Sequence, residues 1–308
     1  MERAPEVPVG GVEQPHATTV GPRADTPTTD TPTGPAPVAE RSPTTRLVAV
    51  DHRPSGRAAV GGGSYRDRME RPDRPDRPHV VVYNEASIDG RVVGFDTDPS
   101  RYYRLGFRWR SDAILMGSTT ALAFGPPEPE ADQRRIVSRP ARLPVVPGFE
   151  SLVTEPRPLL VVPDSGGVVR CWIHARAQPW YRDVVVLVTR HTPSGYLRYL
   201  DHRGIEHVEA TDPAGRRVDL AAALAHLAGS HGVRDVRTDG GGALTGALLA
   251  AGLVDEIVVL LDPVASSDPD GQRLVALPRP GPPGGIPLRL DDVERFEDGA
   301  LLLRYATT

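Results

Sequence analysis

From residue 79 onward, short apolar runs alternate with segments in which apolar residues recur at helical spacing. Several runs are apolar at consecutive positions, which is typical of strands that are covered on both faces. The predicted strands are 79–83, 112–117, 158–162, 183–189, 205–210, 233–238 and 255–261. The predicted helices between them are 100–110, 195–204, 219–232 and 243–252. This alternation predicts an α/β fold with a mostly parallel sheet.

The C-terminal region shows a different pattern. Residues 288–305 form two extended runs around an Asp-Gly turn, which predicts an antiparallel hairpin at the edge of the sheet. The proline-rich stretches 125–135 and 278–287 are predicted to be surface loops, because proline and glycine interrupt regular structure.

The first 78 residues lack the side chains that build a core. They contain thirteen prolines, a single leucine and neither isoleucine nor phenylalanine. Such a segment cannot bury enough apolar surface to offset the entropy of ordering it. We therefore expect a disordered extension over 1–78, followed by a folded domain over 79–308. Met69 is an alternative start, since it is the first methionine before the folded region.

Composition narrows the possible partners. The net charge is −4 and the pI is about 6.1, so the overall charge favours neither nucleic acid nor an anionic membrane. No apolar run approaches the roughly 18 residues that span a bilayer, and no secretory signal is expected. A single cysteine, Cys171, argues against a disulfide framework and is consistent with a cytoplasmic protein. The histidines lack the usual metal-ligand spacings, so no metal site is expected.

Three consecutive glycines at 240–242 lie between a predicted strand and a predicted helix. Free backbone N–H groups and the positive end of the helix dipole make such a turn suitable for a phosphate, although glycines also serve tight turns without a ligand. A dinucleotide-binding fingerprint is excluded by position, because only a predicted hairpin follows Asp262. The chain contains no lysine, which excludes the lysine-containing phosphate loop.

Five motifs in order resemble one family. They are Y-N-E-A-S-I-D-G at 83–90, D-A-I-L-M-G-S-T-T at 112–120, P-L-L-V-V-P-D-S at 158–165, V-V-V-L-V-T-R at 184–190 and T-D-G-G-G-A-L-T-G at 238–246. The chain resembles the reductase half of the riboflavin-biosynthesis deaminase-reductases, in the dihydrofolate reductase-like superfamily. This implies a three-layer α/β/α fold, NADPH as cofactor, a homodimer, and reduction of a ribosylamino-pyrimidine. The zinc motif of the deaminase half is absent from the sequence.

The resemblance also implies roles for particular residues. The cofactor residues would be Gly117, Ser118, Thr119, Arg190, Gly240, Gly241, Gly242, Ala243 and Leu244. Arg190 would pair with a 2′-phosphate, although a solvent-exposed loop arginine is an equal alternative.

The substrate residues implied by the resemblance are Asn84, Ser87, Arg101 and Asp239, with Arg101 on a substrate phosphate. Asp89 would orient the substrate or a proton-donating water, but Asp89-Gly90 is also an ordinary turn. An exposed helical arginine is the alternative for Arg101.

One segment departs from the family pattern. Only residues 91–100 separate the I-D-G element from the next predicted helix, where the riboflavin enzymes carry a longer substrate-binding stretch. The sequence therefore leaves open that a different compound accepts the hydride, such as an imine, a carbonyl or a pterin-like compound. A non-catalytic nucleotide-binding protein of the same fold is the second hypothesis.

Overall fold

A computed structural model describes residues 76–128, 139–279 and 281–308. The predicted extension lies outside the described residues except for 76–78, and the predicted loop 125–135 is described only up to residue 128.

A nine-stranded sheet forms the centre of the fold, in the order β5-β4-β3-β2-β6-β1-β7-β9-β8. Every pairing from β5 to β7 is parallel, whereas β9 runs antiparallel to both β7 and β8. The strands are β1 His79–Ser87, β2 Ala113–Leu115, β3 Leu159–Pro163, β4 Val184–Val188, β5 Glu206–Glu209, β6 Asp235–Thr238, β7 Glu256–Asp262, β8 Leu288–Arg295 and β9 Leu301–Thr307.

Helices cover both faces of the sheet. They are α1 Pro99–Gly106, α2 Ser118–Ala121, α3 Trp172–Ala177, α4 Ser194–Arg203, α5 Leu220–His231 and α6 Gly242–Ala250. Leu227 of α5 and Leu248 of α6 pack with Val82 on one face. On the other face, α3 and α4 pack over β3 and β4, and α1 packs over β1 and β7. Strands buried on both faces explain the consecutive apolar runs in the sequence.

Local sequence signals fix where the helices begin and end. Asp98 precedes Pro99 and accepts hydrogen bonds from the N–H groups of Ser100 and Arg101, which caps α1. Helix α4 ends at Gly204 and α5 ends at Gly232, both in the left-handed conformation that favours glycine.

The predicted fold class is confirmed, including the parallel sheet and the C-terminal antiparallel hairpin. The first strand differs from its prediction, because it continues past Tyr83 to Ser87. Its polar residues interrupt the apolar pattern, yet they pair in register with β7 as far as Ser87 and Asp262. In the described part of the chain, no helix has the length and apolar character needed to cross a membrane.

Arg77 attaches the start of the described chain to the sheet. Its guanidinium donates two hydrogen bonds to Asp255, at 2.7 and 2.9 Å, and both side chains are about one-tenth exposed. Burial alone would raise the pKa of Asp255, but the hydrogen bonds from Arg77 and from the N–H of Val80 lower it overall. Arg77, two residues before β1, is therefore held against the sheet.

We expect Arg77→Ala to destabilise the protein by roughly 1.5–3 kcal/mol, the range for a hydrogen bond to a charged group. Because the pKa of Asp255 is lowered in the folded state, this stabilisation is present at neutral pH and is lost as the pH falls through that pKa. Thermal melts at pH 7 and in acid measure both effects. Arg216→Ala, which removes an exposed arginine, and deletion of residues 1–75 are the controls and should leave the melting temperature nearly unchanged. An equal loss in the Arg216 variant would contradict the assignment.

Candidate active site

An aromatic cavity lies on the α1 face of the sheet. Its walls come from α1, from β2 and α2, and from the loop that follows α3. Its volume is about 120 Å³, comparable with cavities that hold a small planar ring. Phe149 lies between Tyr103 and Trp180, with ring centroids 6.2 and 6.5 Å away in edge-to-face arrangements. The aromatic lining residues are Tyr102, Tyr103, Phe107, Phe124, Phe149, Trp180 and Tyr181.

Two charged residues also line the cavity: Arg237 lies in β6, and Asp239 directly follows the strand. They form a long ion pair, with 3.8 Å between Nη2 of Arg237 and Oδ2 of Asp239. The guanidinium of Arg237 also lies 5.4 Å from the ring centroid of Phe107. Oδ1 of Asp239 is buried and accepts no hydrogen bond from any described residue. The cavity therefore contains a hydrogen-bond acceptor that the described protein does not use and that is available to an N–H group of a ligand.

Burial raises the pKa of Asp239, and the charge of Arg237 only partly opposes this shift. The carboxyl group therefore retains its proton to a higher pH than an exposed aspartate. Burial also raises the pKa of Tyr103 to about 12, so this phenol remains a hydrogen-bond donor at neutral pH.

The chain turns from β6 into α6 immediately after Asp239. Asn84 donates a hydrogen bond of 3.2 Å to the carbonyl of Gly240, and the hydroxyl of Thr245 donates one of 3.1 Å to the same oxygen. The N–H groups of Gly241, Gly242 and Ala243 have no acceptor among the described residues. These unpaired donors at a helix N-terminus suit an anion, so the turn fits a phosphate.

A cover segment, residues 266–277, lies against the beginning of α6. The N–H of Ala276 donates to the carbonyl of Gly242 at 2.9 Å, and the N–H of Leu274 donates to the carbonyl of Gly90 at 2.9 Å. A Cβ atom at Gly242 would overlap the carbonyl oxygen of Arg273, and one at Gly246 would overlap that of Ala276. These two glycines therefore permit a close approach of two backbones.

Gly241 differs from its neighbours, because a Cβ atom there would meet only the side chain of Gln272, at 2.8 Å. That side chain can move, so Gly241 is not required for backbone packing.

Ser87 and Asp89 organise the loop after β1. The hydroxyl of Ser87 donates to Oδ1 of Asp89 at 2.7 Å, and the N–H of Ser266 donates to the same carboxylate oxygen at 2.9 Å. These hydrogen bonds, with that from Ser266 the largest, lower the pKa of Asp89. An ionised carboxylate is a poor proton donor, so the geometry assigns Asp89 to the attachment of the cover segment.

Arg101 lies in the first turn of α1, beside the carboxyl ends of β1 and β7. It pairs with Asp262 at 2.5 Å, with Glu85 at 3.6 Å and with the exposed Asp298. The predicted substrate-phosphate arginine is thus surrounded by carboxylates.

The other predicted cofactor residues lie at the carboxyl ends of two further strands. Gly117, Ser118 and Thr119 follow β2 and begin α2, and a Cβ atom at Gly117 would meet nothing within 4 Å. Arg190 follows β4 and is exposed. Its Nε donates to His191 at 3.3 Å, and its guanidinium has no carboxylate partner within the described ranges.

The sequence prediction missed most of the cavity wall. Phe149, Trp180 and Tyr181 lie in irregular segments whose spacing carries no periodic signal. The cluster Tyr102, Tyr103 and Phe107 and the adjacent pair Trp180 and Tyr181 are local signs of aromatic surfaces, but nothing in the sequence brings them together.

A possible metal-ligand cluster, also unpredicted, lies at the far edge of the sheet. Glu206 of β5 and His226 and His231 of α5 place their ligand atoms within 4.8 Å of one another. The two histidines are five residues apart, which is not one of the common metal-binding spacings. Three strands separate β5 from β6, so this cluster is not part of the cavity.

Residues 78–302 match the family described as the RibD C-terminal domain, which covers more than half of the chain. The chain belongs to the RibD C-terminal domain family. A relative from Methanothermobacter thermautotrophicus, 2,5-diamino-6-ribosylamino-4(3H)-pyrimidinone 5′-phosphate reductase, is 27% identical over 206 residues, 64% of this chain and 83% of the relative. The family and this relative support an oxidoreductase.

Solved structures show the same fold. The riboflavin biosynthesis reductase Rib7 of Saccharomyces cerevisiae aligns with a TM-score of 0.52 at 15% identity, over 80% of this chain and 95% of that one. A pyrimidine reductase-like protein of Corynebacterium diphtheriae also gives 0.52 at 15% identity, over 76% and 93%. RibD of Acinetobacter baumannii aligns with a TM-score of 0.50 at 18% identity. The alignment covers 76% of this chain and 58% of that protein.

Membership of the RibD C-terminal domain family confirms the predicted resemblance. It also places the glycine turn, the cavity and the cover segment inside the matched region, since all three lie between residues 78 and 302.

We expect Gly246→Ala to destabilise this RibD C-terminal domain protein by about 1–3 kcal/mol or more, because the new methyl group would press on the cover-segment backbone. Gly229→Ala, also inside a helix but with open space around the added Cβ atom, is the matched control. It should stabilise the protein by about 0.5–1 kcal/mol through reduced backbone entropy. Urea denaturation measures both changes. Similar effects at the two positions would contradict the close packing of α6 and the cover segment.

Proposed function

We propose that the protein is an NADPH-dependent reductase that transfers hydride to a ribosylamino-pyrimidine or a related imine or carbonyl. One observation carries the proposal: consecutive residues at the end of β6 belong to both halves of the site. Asp239 lines the aromatic cavity, and Gly240–Gly242 form the turn with unpaired N–H groups. A ligand held at the turn and a ring held in the cavity would therefore meet beside one strand end.

The cofactor half rests on the donors at the turn. The N–H groups of Gly241, Gly242 and Ala243 would hold the pyrophosphate, with Leu244 completing the first turn of α6. Asn84 fixes this turn by binding the carbonyl of Gly240, which makes its role one of positioning. The cofactor would supply the hydride, and the protein binds, orients and excludes water.

Two further strand ends lie along the same carboxyl edge of the sheet. Gly117, Ser118 and Thr119 would border the cofactor beyond β2, and Arg190 would meet a 2′-phosphate beyond β4. An exposed arginine without a carboxylate partner within the described ranges suits that role, because a guanidinium binds phosphate in a bidentate manner.

The acceptor half rests on the aromatic cavity. Tyr103 and Trp180 offer flat apolar surfaces to a planar ring, and Asp239 offers its unpaired oxygen to an N–H group of that ring. Because burial keeps a proton on Asp239 to a higher pH, this carboxyl group can also donate a proton as the hydride arrives.

We expect Asp239→Asn to lower kcat about 100-fold, the low end for loss of a general acid, while NADPH affinity stays within about twofold. The assay follows NADPH consumption with 2,5-diamino-6-ribosylamino-4(3H)-pyrimidinone and its 5′-phosphate. Asp89→Asn is the matched comparison, since the resemblance assigns Asp89 to catalysis whereas the geometry assigns it to the cover segment. A larger loss of kcat in the Asp89 variant would reverse the two roles. NADPH binding without consumption of either compound would favour a non-catalytic nucleotide-binding protein.

We expect Gly241→Ala to lower NADPH affinity at least tenfold, about 1.4 kcal/mol, in a protein that stays folded. The added methyl group would lie where the pyrophosphate approaches, whereas within the protein it meets only the movable side chain of Gln272. Fluorescence titration beside a thermal melt measures both quantities.

Arg190→Ala provides the control for this titration. It should weaken NADPH but not NADH, because only NADPH carries the 2′-phosphate, whereas Gly241→Ala should weaken both. Unchanged affinity in a folded Gly241→Ala protein would remove the turn from the cofactor site.

A further inference from the structure

Three side chains that can ligate a metal lie together at the edge strand β5, away from the cavity. Glu206 is the first residue of β5, and His226 and His231 belong to α5. One ligand atom from each of the three residues lies within 4.8 Å of the other two. The group lies at the amino ends of the parallel strands, opposite the glycine turn at their carboxyl ends. The proposed hydride transfer uses none of these residues.

The shortest contact in the group joins α5 to β5. Nε2 of His231 lies 3.0 Å from Oε1 of Glu206, and the ring centroids of His226 and His231 are 5.9 Å apart. Ligand atoms on a tetrahedral zinc ion are about 3.4 Å apart, because each bond is about 2.0–2.2 Å long. The longest separation in the group, at most 4.8 Å, would therefore shorten by roughly 1.4 Å. His226 is exposed, so rotation of its side chain can provide this movement.

The end of α5 also favours a positive charge. His231 is the last residue of this helix, and Gly232 follows it in the left-handed conformation. The last carbonyl groups of a helix carry a partial negative charge, so a cation is stabilised beside them. The carboxylate of Glu206, whose side chain is half exposed, faces the same place. A cation there would meet both the carboxylate and the end of the helix, with water in its remaining positions.

The donor set indicates the class of ion. Imidazole nitrogen suits Zn²⁺ and other transition metals, whereas Mg²⁺ and Ca²⁺ prefer oxygen ligands. Two histidines and one glutamate are also a common set of protein ligands for zinc, and Zn²⁺ has no geometric preference of its own that an irregular set would violate. We infer that Glu206, His226 and His231 bind a Zn²⁺ ion that joins the end of α5 to β5. Histidine spacing along the chain does not predict this site, because Glu206 lies 25 positions before His231.

The ion would act on stability and not on hydride transfer. Three strands lie between β5 and β6, so an ion beside β5 cannot touch a ring in the cavity. Among the described strands β5 pairs only with β4, and a metal bridge to α5 would give it a second attachment. A ligand that binds only the folded protein stabilises it in proportion to the logarithm of its concentration.

The test is a titration of the full-length protein with Zn²⁺, after removal of any histidine tag and treatment with a chelator. Calorimetry gives the dissociation constant, and a thermal melt gives the stabilisation. At a Zn²⁺ concentration of about 100 times that constant, we expect the melting temperature to rise by about 5–10 °C. The same concentration of Mg²⁺ should leave it unchanged. Absence of Zn²⁺ binding, or binding that does not raise the melting temperature, would overturn the inference.

Variants assign the ion to these residues. His226→Ala should lower Zn²⁺ affinity by about tenfold or more, whereas the metal-free variant should stay folded, since alanine suits an exposed helical position. Glu206→Gln should also weaken Zn²⁺, yet its amide oxygen can still accept a hydrogen bond from His231, which separates metal binding from that contact. His202→Ala, at an exposed position near the end of α4, is the matched control and should change neither quantity. Unchanged affinity in His226→Ala, or an equal loss in His202→Ala, would place the ion elsewhere and overturn the inference.

Discussion

The close approach between α6 and the backbone of the cover segment depends on the absence of side chains at Gly242 and Gly246. This contact fixes the position of the N-terminus of α6, and with it the direction of the unpaired N–H groups at the turn. The hydrogen bond from Ala276 to Gly242 and that from Leu274 to Gly90 join the loop after β1 to the same unit. A larger residue at either glycine would separate the two backbones and displace these N–H groups.

Glycine thus has two distinct uses within one short stretch. At 242 and 246 it permits backbone packing inside the protein, whereas at 241 the space is limited only by a movable side chain. Glycine at 241 is therefore consistent with a requirement imposed from outside the protein, which a ligand phosphate would provide. Close backbone packing explains Gly242 and Gly246, whereas the plain turn that the sequence left open as an alternative for 240–242 requires no glycine at 241, since φ there is −64°.

The chemistry of the site depends on how its charged side chains are paired at the carboxyl edge of the sheet. Arg237 and Asp239 line the cavity as a pair 3.8 Å apart, and Oδ1 of Asp239 accepts no hydrogen bond from any described residue. Aromatic walls and the unpaired oxygen of Asp239 suit a planar ring that carries an N–H group. The family fold fixes the positions of the strand ends, and the side chains around them determine the specificity.

The sequence by itself predicted the strands, the glycine turn and four of the six helices of the described chain, since each depends on neighbours a few residues away. The short helices α2 and α3 were not predicted. The apolar run 183–189 is such a local signal, and the structure places β4 at Val184–Val188 within it. Only the tertiary structure decided what Arg101, Asp89 and Asp239 contact. Arg101 and Asp298 are 197 positions apart, and Asp89 and Ser266 are 177 apart, so no local pattern links them. The cavity combines residues from α1, β2, α2, β6 and the segments between the regular elements, and these meet because the strand order places β6 between β1 and β2.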